Sequence, residues 1–312
     1  MIRLEKTEVV GWEAAIRGMR NPMNSWDKSD SIHISFNMCD DEKELRLAKM
    51  CHYIAPIIKE NDHDLMMKLR NAGTDHRKFM RMIVVYLDIT APLYWWKEFK
   101  TYRAGRRFGD DEPDIIDDGY LECDIETNSC STMHKIHEKE FTLEDFSCEH
   151  LISEPYDIDN NDPIDGEFED DGLVLVANSE NGWLGHCYHT ANGDECVEYL
   201  APKTLLDRYI ISALNASREA YLETKDKKYW WQMIQLLPSS YNQKRTVMLN
   251  YEVLANIYKS RKNHKLDEWV DFCKWIESLP YSELITGAAL NDIPICNDIM
   301  EEAKRRVTEK EG

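Results

Sequence analysis

The chain has 312 residues, is 43% hydrophobic and 10% aromatic, and carries a formal net charge of −20. That length and composition suit a globular enzyme-sized fold. The charge excludes broad affinity for nucleic acid, which depends on attraction to phosphate. It leaves room for a local basic pocket holding one small phosphate.

The opening MIRLEKTEVVGWE has charges within its first six residues and no apolar core of signal-peptide length. The longest apolar stretch, Met82–Trp96, is broken by Asp88 and Pro92 and is too short to span a bilayer. A cytoplasmic protein with no membrane association is the expectation. Nine cysteines are scattered without a CxxC pair, which reads as reduced and mostly buried thiols.

In chain order, residues 41–60 read as an amphipathic helix, with Leu45, Ala48, Cys51 and His52 on one face and Pro56 kinking or ending it. Arg81–Thr90 is short and β-rich, so it predicts a strand. Pro92 then stands where a helix can begin, and LYWWKEFKTYR fits three turns. Two acidic stretches, Arg106–Thr127 and Glu154–Gly172, read as surface insertions. Between them, Ser131–Leu151 reads as mixed loop and helix. Gly172–Tyr199 alternates weakly and carries Asn181–Gly182 and Asn192–Gly193, which suggests a β-hairpin. Helical patterns cover 203–223, 226–236, 243–262, 265–279 and 296–309. The economical architecture is one elaborated α+β domain over 1–312, with a mixed sheet and a helical second half.

Four islands carry candidate chemistry: His76; APLYWWKEFKTYR (Ala91–Arg103); NSCSTMH (Asn128–His134); and LPSSYNQKRTVMLNYEVLANIYKSR (Leu237–Arg261). Their order and spacing resemble the core of the flavin-dependent thymidylate synthases. In that family a His precedes the central strand, and His76 has that place. An Ala-Pro then leads to a Gln followed by Arg-His-Arg. Here Glu98 stands at the Gln, and Thr101, Tyr102 and Arg103 stand at the triplet. The family's Asn-Glu-x-Ser-x-Arg-Tyr is matched at Asn128 and Ser131, while Met133 and His134 replace its Arg-Tyr. Pro238, Asn250, Leu254, Asn256 and Arg261 reproduce the spacing of the last island without a gap. Leu266–Trp269 departs from the Ala-Gln-x-Glu that follows in the family.

The resemblance implies an enzyme that binds FAD and methylates a deoxyuridylate-like nucleotide. Methylene-tetrahydrofolate and reduced nicotinamide (NADPH) would be co-substrates, and the assembly a homotetramer. Arg261 would polarise the pyrimidine. Arg103 and Ser131 would hold the phosphate, with Glu98 at the substrate. His76, Asn128, Asn250 and Asn256 would contact the flavin. The altered triplet keeps open a different pyrimidine modification, such as hydroxymethylation, or a non-catalytic nucleotide- or flavin-binding scaffold.

Each residue also has a plainer reading. Arg261 can serve a helix end, His76 can be a structural histidine, Arg103 a solvated charge at a helix end, and Ser131 a turn residue. Trp95 and Trp96 read as core. His186, Cys187, His189 and Cys196 are metal-capable, but their spacing fits no standard zinc site. The Asp157–Glu169 stretch resembles a calcium loop but has Asp162 at the glycine place and Phe168 at the bidentate Glu place. No metal is expected. No P-loop, GxGxxG or GxSxG occurs.

Overall fold

A computed structural model describes residues 2–32, 56–102, 125–153, 168–177, 184–190 and 195–288, with side chains omitted over 168–200. The helices expected at 41–60 and 296–309 fall outside these residues, apart from 56–60, and so do Arg103 and most of both acidic stretches. The chain divides into two compact units, residues 1–130 with 243–312 and residues 131–242. Both combine antiparallel strand pairs with helices, so the α+β expectation holds.

The first unit is built on a four-stranded sheet. Its strands are β1 (Arg3–Val10), β2 (Val84–Pro92), β3 (Glu126–Ser129) and a later strand, Asn242–Asn250, in the order β1, β2, Asn242–Asn250, β3. β1 runs antiparallel to β2, and β3 runs antiparallel to Asn242–Asn250. In β2, Val85, Leu87 and Ile89 point to the core while Tyr86 faces out, the period of two that a half-buried strand needs.

Helix α1 (Trp12–Arg20) follows β1, and Trp12, Ala15, Ile16 and Met19 form its buried face. Gly11 introduces it with φ +92°, and a Cβ there would lie 1.9 Å from the Met82 carbonyl oxygen, so no other residue fits. Helix α2 (Glu60–Asn71) comes next, and a 3₁₀ turn, Arg77–Met82, leads into β2. Helix α3 (Leu93–Phe99) begins directly after Pro92, but it is shorter than the three turns expected and ends in a turn at Lys100.

The second unit contains an antiparallel meander of β4 (Phe168–Ala177), β5 (Leu184–Thr190) and β6 (Glu195–Leu200). The expected hairpin is therefore present, with one strand more. A single turn (Pro202–Thr204) and a π-helical stretch (Leu205–Ile211) run into α4 (Ser212–Thr224), and α5 (Lys227–Leu236) packs back on it. Ile136, Phe141, Phe146, Leu214 and Met233 fill this unit's core. Residues 131–153 hold mostly turns and one 3₁₀ turn, Leu143–Asp145, closed by a capping box between Thr142 and Asp145.

The helix expected over 243–262 is corrected in its first half. Asn242–Asn250 is strand β7, and only Tyr251–Arg261 is helical, as α6. Gln243, Arg245, Val247 and Leu249 are buried while Thr246 is exposed, so the period is two. Pairing with β3 satisfies one edge of its backbone. Helices α7 (Asp267–Glu277) and α8 (Glu283–Thr286) complete the first unit. Trp95, Trp96, Phe99, Trp269 and Phe272 are wholly or almost wholly buried there and meet ring to ring at centroid distances of 4.7–6.5 Å. Each such ring contributes about 1.5–3 kcal/mol by burial. Trp95 and Trp96 are core residues, as expected.

Candidate functional site

Helix α6 organises two polar clusters in the first unit, one at each end. It begins at Asn250, which is 8% exposed and whose Oδ1 accepts from the Val253 amide at 3.0 Å. That is an N-cap, satisfying one of the four amides a helix start leaves open. Asn250 therefore has a structural task beyond its expected contact with flavin.

Two residues on, in the first turn, the Glu252 carboxylate is fully buried between two guanidinium groups. Arg77 Nε donates to its Oε1 at 3.0 Å, and Arg81 Nε donates to Oε2. Arg77 Nη2 also donates to Asn256 Oδ1 at 3.3 Å. Glu252 and Asn256 are four residues apart and so share a helix face. A buried carboxylate is held only where paired charge and hydrogen bonds offset its lost hydration, and both arginines come from the turn after His76.

Arg70 lies nearby on α2, donating to the Leu284 and Ile285 carbonyls at 2.9 and 3.1 Å. Burial, then the neighbouring charge of Arg77, lowers its pKa. His76 itself is exposed, with its backbone N–H on the Gly73 carbonyl. The cationic contacts at this end of α6 belong to Arg77 and Arg81. Sequence reasoning passed over both, although their spacing of four, flanking buried Phe79 and Met80, was available as a signal.

At the other end of α6, Arg261 meets the altered triplet region. Its Nη2 lies 3.1 Å from Glu98 Oε2, and its Nε donates to the Tyr102 hydroxyl. The guanidinium carbon sits 5.0 Å from the Trp269 ring centroid and 5.5 Å from that of Tyr102. Trp269 Nε1 donates to the same Glu98 Oε2 at 3.1 Å. The Arg261 side chain is 20% exposed and that of Glu98 44%. The charge pair thus lies at the surface of the aromatic core, and stacking on Trp269 fixes the guanidinium plane. Two of the five Arg261 N–H groups are engaged by Glu98 and Tyr102.

The other expected residues have separate settings. Asn128 lies exposed on β3, opposite Thr246 of β7. Thr246 Oγ1 donates to Asp88 Oδ1 at 2.6 Å, and Lys244 and Lys6 approach Asp88 Oδ2 at 3.2 and 3.6 Å. The Thr246 hydroxyl, and after it the lysine charges, hold the Asp88 carboxyl below its ordinary value against the opposing effect of burial. Ser131 belongs to the second unit. Its Oγ accepts from the Met133 and His134 amides at 3.2 and 2.9 Å, which is turn chemistry.

Arg245 stands out for a different reason. It is 8% exposed, lies 4.3 Å from the Trp96 ring centroid, and donates through Nε and Nη2 to Gln243 Oε1 at 3.0 and 2.7 Å. Burial lowers its pKa.

Among the described residues no group of three His, Cys, Asp or Glu is placed to hold a metal. The side chains of His186, Cys187, His189 and Cys196 lie outside them, as does most of the Asp157–Glu169 stretch. Among the described residues, too, no helix is long and apolar enough to cross a membrane. Cys130, Cys148 and Cys273 are free thiols.

The architecture defines an α+β fold in which one capped helix, α6, carries a charged cluster at each end. No protein-family model matches the chain, and no curated protein matches it. Among solved structures it is similar to Thymidylate Synthase X from Helicobacter pylori with FAD and dUMP, at 13% identity, over 92% of this chain and 96% of that one, with a TM-score of 0.46. It is also similar to a flavin-dependent thymidylate synthase from Helicobacter pylori complexed with FAD and dUMP, at 14% identity, over 89% and 94%, with a TM-score of 0.43. Likeness at this level assigns no reaction, substrate or cofactor.

Proposed function

We propose that this chain is a flavin-dependent enzyme acting on a pyrimidine nucleotide in the manner of the flavin-dependent thymidylate synthases. In its fullest form the proposal is reductive methylation of dUMP to dTMP, with FAD as cofactor and methylene-tetrahydrofolate and NADPH as co-substrates. A cytoplasmic homotetramer working as one elaborated domain belongs to the same reading. The observation that carries it is the meeting of Glu98 with Arg261, two residues from separate sequence islands, beside Tyr102 at the triplet.

The donor set suits a flavin. Arg77 and Arg81 set two guanidinium charges against the one buried carboxylate of Glu252 near the start of α6, a net positive cluster to which a diphosphate would be drawn. Bound there, FAD would supply the two-electron chemistry. The chain's residues would orient the base, and the remaining N–H groups of Arg261 would polarise a ring carbonyl as charge develops on it.

One observation favours a second reading. Arg261 is already engaged by Glu98 and Tyr102, the residues that stand where the family has Gln and His. A different modification of a pyrimidine nucleotide, such as hydroxymethylation, fits a site altered in this way. Absorbance of the purified protein, before and after adding FAD at tens of micromolar (an order-of-magnitude ceiling for a functional site), tests the proposal. A bound flavin spectrum with dTMP formed from the standard substrates supports the full form. A yellow protein that makes no dTMP supports the second reading. Protein that stays colourless refutes both in favour of a scaffold.

A further inference from the structure

The Glu98 carboxylate is unusual in how it is held. Its Oε2 takes both available donors, Arg261 Nη2 and Trp269 Nε1, each at 3.1 Å. These come from two helices, so the carboxylate plane is fixed from two directions. Oε1 has no hydrogen-bond partner among the described residues, and the side chain is 44% exposed. The result is a pre-oriented acceptor beside a guanidinium that keeps three N–H groups beyond those given to Glu98 and Tyr102.

That pairing reads the edge of a pyrimidine. Cytosine presents two adjacent acceptors, O2 and N3, followed by an amino donor at C4. Uracil presents an acceptor at C4 and a donor at N3. A guanidinium matches the O2 and N3 acceptors, and a carboxylate accepts from the C4 amine, the same match by which acidic side chains recognise cytosine in nucleic acids. If uracil took that pose, its C4 oxygen would face Glu98 Oε1 with no proton between them. Polar groups left opposed in this way are the strongest source of discrimination between near-isosteric ligands.

We propose that Glu98 makes the site selective for a pyrimidine nucleotide whose ring carries an exocyclic amine, a cytosine nucleotide, over its uracil counterpart. This rests on the second reading above, a different modification of a pyrimidine nucleotide, and names its substrate class in place of dUMP. Glu98 acts here as a specificity residue that touches substrate, and Trp269 acts through it as a positioning residue.

The test is equilibrium binding of dCMP, dUMP and the N4,N4-dimethyl derivative of dCMP to the full-length protein, with and without FAD. The expected result is dCMP binding tighter than dUMP by on the order of 10- to 100-fold, as for a matched side-chain contact to a base edge. The dimethyl derivative, which has no C4 N–H, should fall to the level of dUMP. Glu98→Gln, whose amide can donate as well as accept, should bring dCMP and dUMP close together. If Glu98→Gln fails to fold, the wild-type ratio and the dimethyl derivative decide alone. Equal or tighter binding of dUMP overturns the inference and leaves the pyrimidine reading standing. Absence of binding by all three at millimolar concentration overturns both.

Discussion

The Glu98–Arg261 pair can be measured as a coupling, and its size separates a working site from a structural brace. Glu98→Gln, Arg261→Met and the double variant are compared with the parent by urea unfolding at 25 °C. The 44% exposure of Glu98 puts most of the Coulomb attraction in water, so the pair itself should couple by about 1 kcal/mol. Arg261→Met alone should cost more, about 2 kcal/mol, because it also removes the Tyr102 bond and the stacking on Trp269. In the double-mutant cycle those extra losses cancel and only the pair remains. A coupling near 1 kcal/mol is that of a pair open to water, which a nucleotide can reach. A coupling above about 3 kcal/mol would mark a desolvated structural pair, closed to a base as it is to water. Strict additivity would show that the pair contributes no stabilisation in solution, and the coupling worked out above would be refuted.

Asp62 should govern the acid limit of the first unit. It is fully buried and accepts from Arg20 Nε at 2.7 Å, from the Ser29 and Ser31 hydroxyls, and from the Asp30 and Ser31 amides. Burial alone would raise its pKa, but the Ser31, Ser29 and Arg20 bonds outweigh it and the carboxyl lies below its ordinary value. A depressed folded pKa contributes stability that is complete above the unfolded value of about 4 and is lost as pH falls through the folded one. Asp62→Asn should therefore destabilise by about 3 kcal/mol at pH 7 and flatten the loss of stability below pH ~4. A parent and variant with parallel acid titrations would refute this. Asn250→Ala should cost about 1 kcal/mol through the lost cap, while Asn250→Asp keeps it. If Asn250→Asp keeps stability and loses flavin affinity, Asn250 lines the cofactor as well as capping α6. Unchanged affinity leaves it a cap alone.

Much of the arrangement was open to reading along the chain. The alternation in residues 81–90, the proline that ends β2 and starts α3, and the apolar faces of α5 and α7 are local patterns. Each follows from whether side chains repeat every two or every 3.6 residues. The register of Asn256 and Arg261 was equally legible, because positions on one helix keep their spacing. Strand β7 was not. Its residues carry Lys, Arg, Gln and Met, which favour helix in isolation, and only pairing with β3 and burial of Arg245, Val247 and Leu249 make the extended form the stable one.

The same division runs through the candidate site. Residue types and spacing pointed to Arg261 and Glu98 as separate candidates, yet nothing local could say that they form an ion pair stacked on Trp269. Nor could it say that Arg77 and Arg81 rather than His76 engage α6, through a carboxylate buried at Glu252. A side chain's partners come from segments far along the chain, and desolvation decides which charge pairs persist. Helix periods and caps are inherited from neighbours in sequence. The electrostatics of a site belong to neighbours in space.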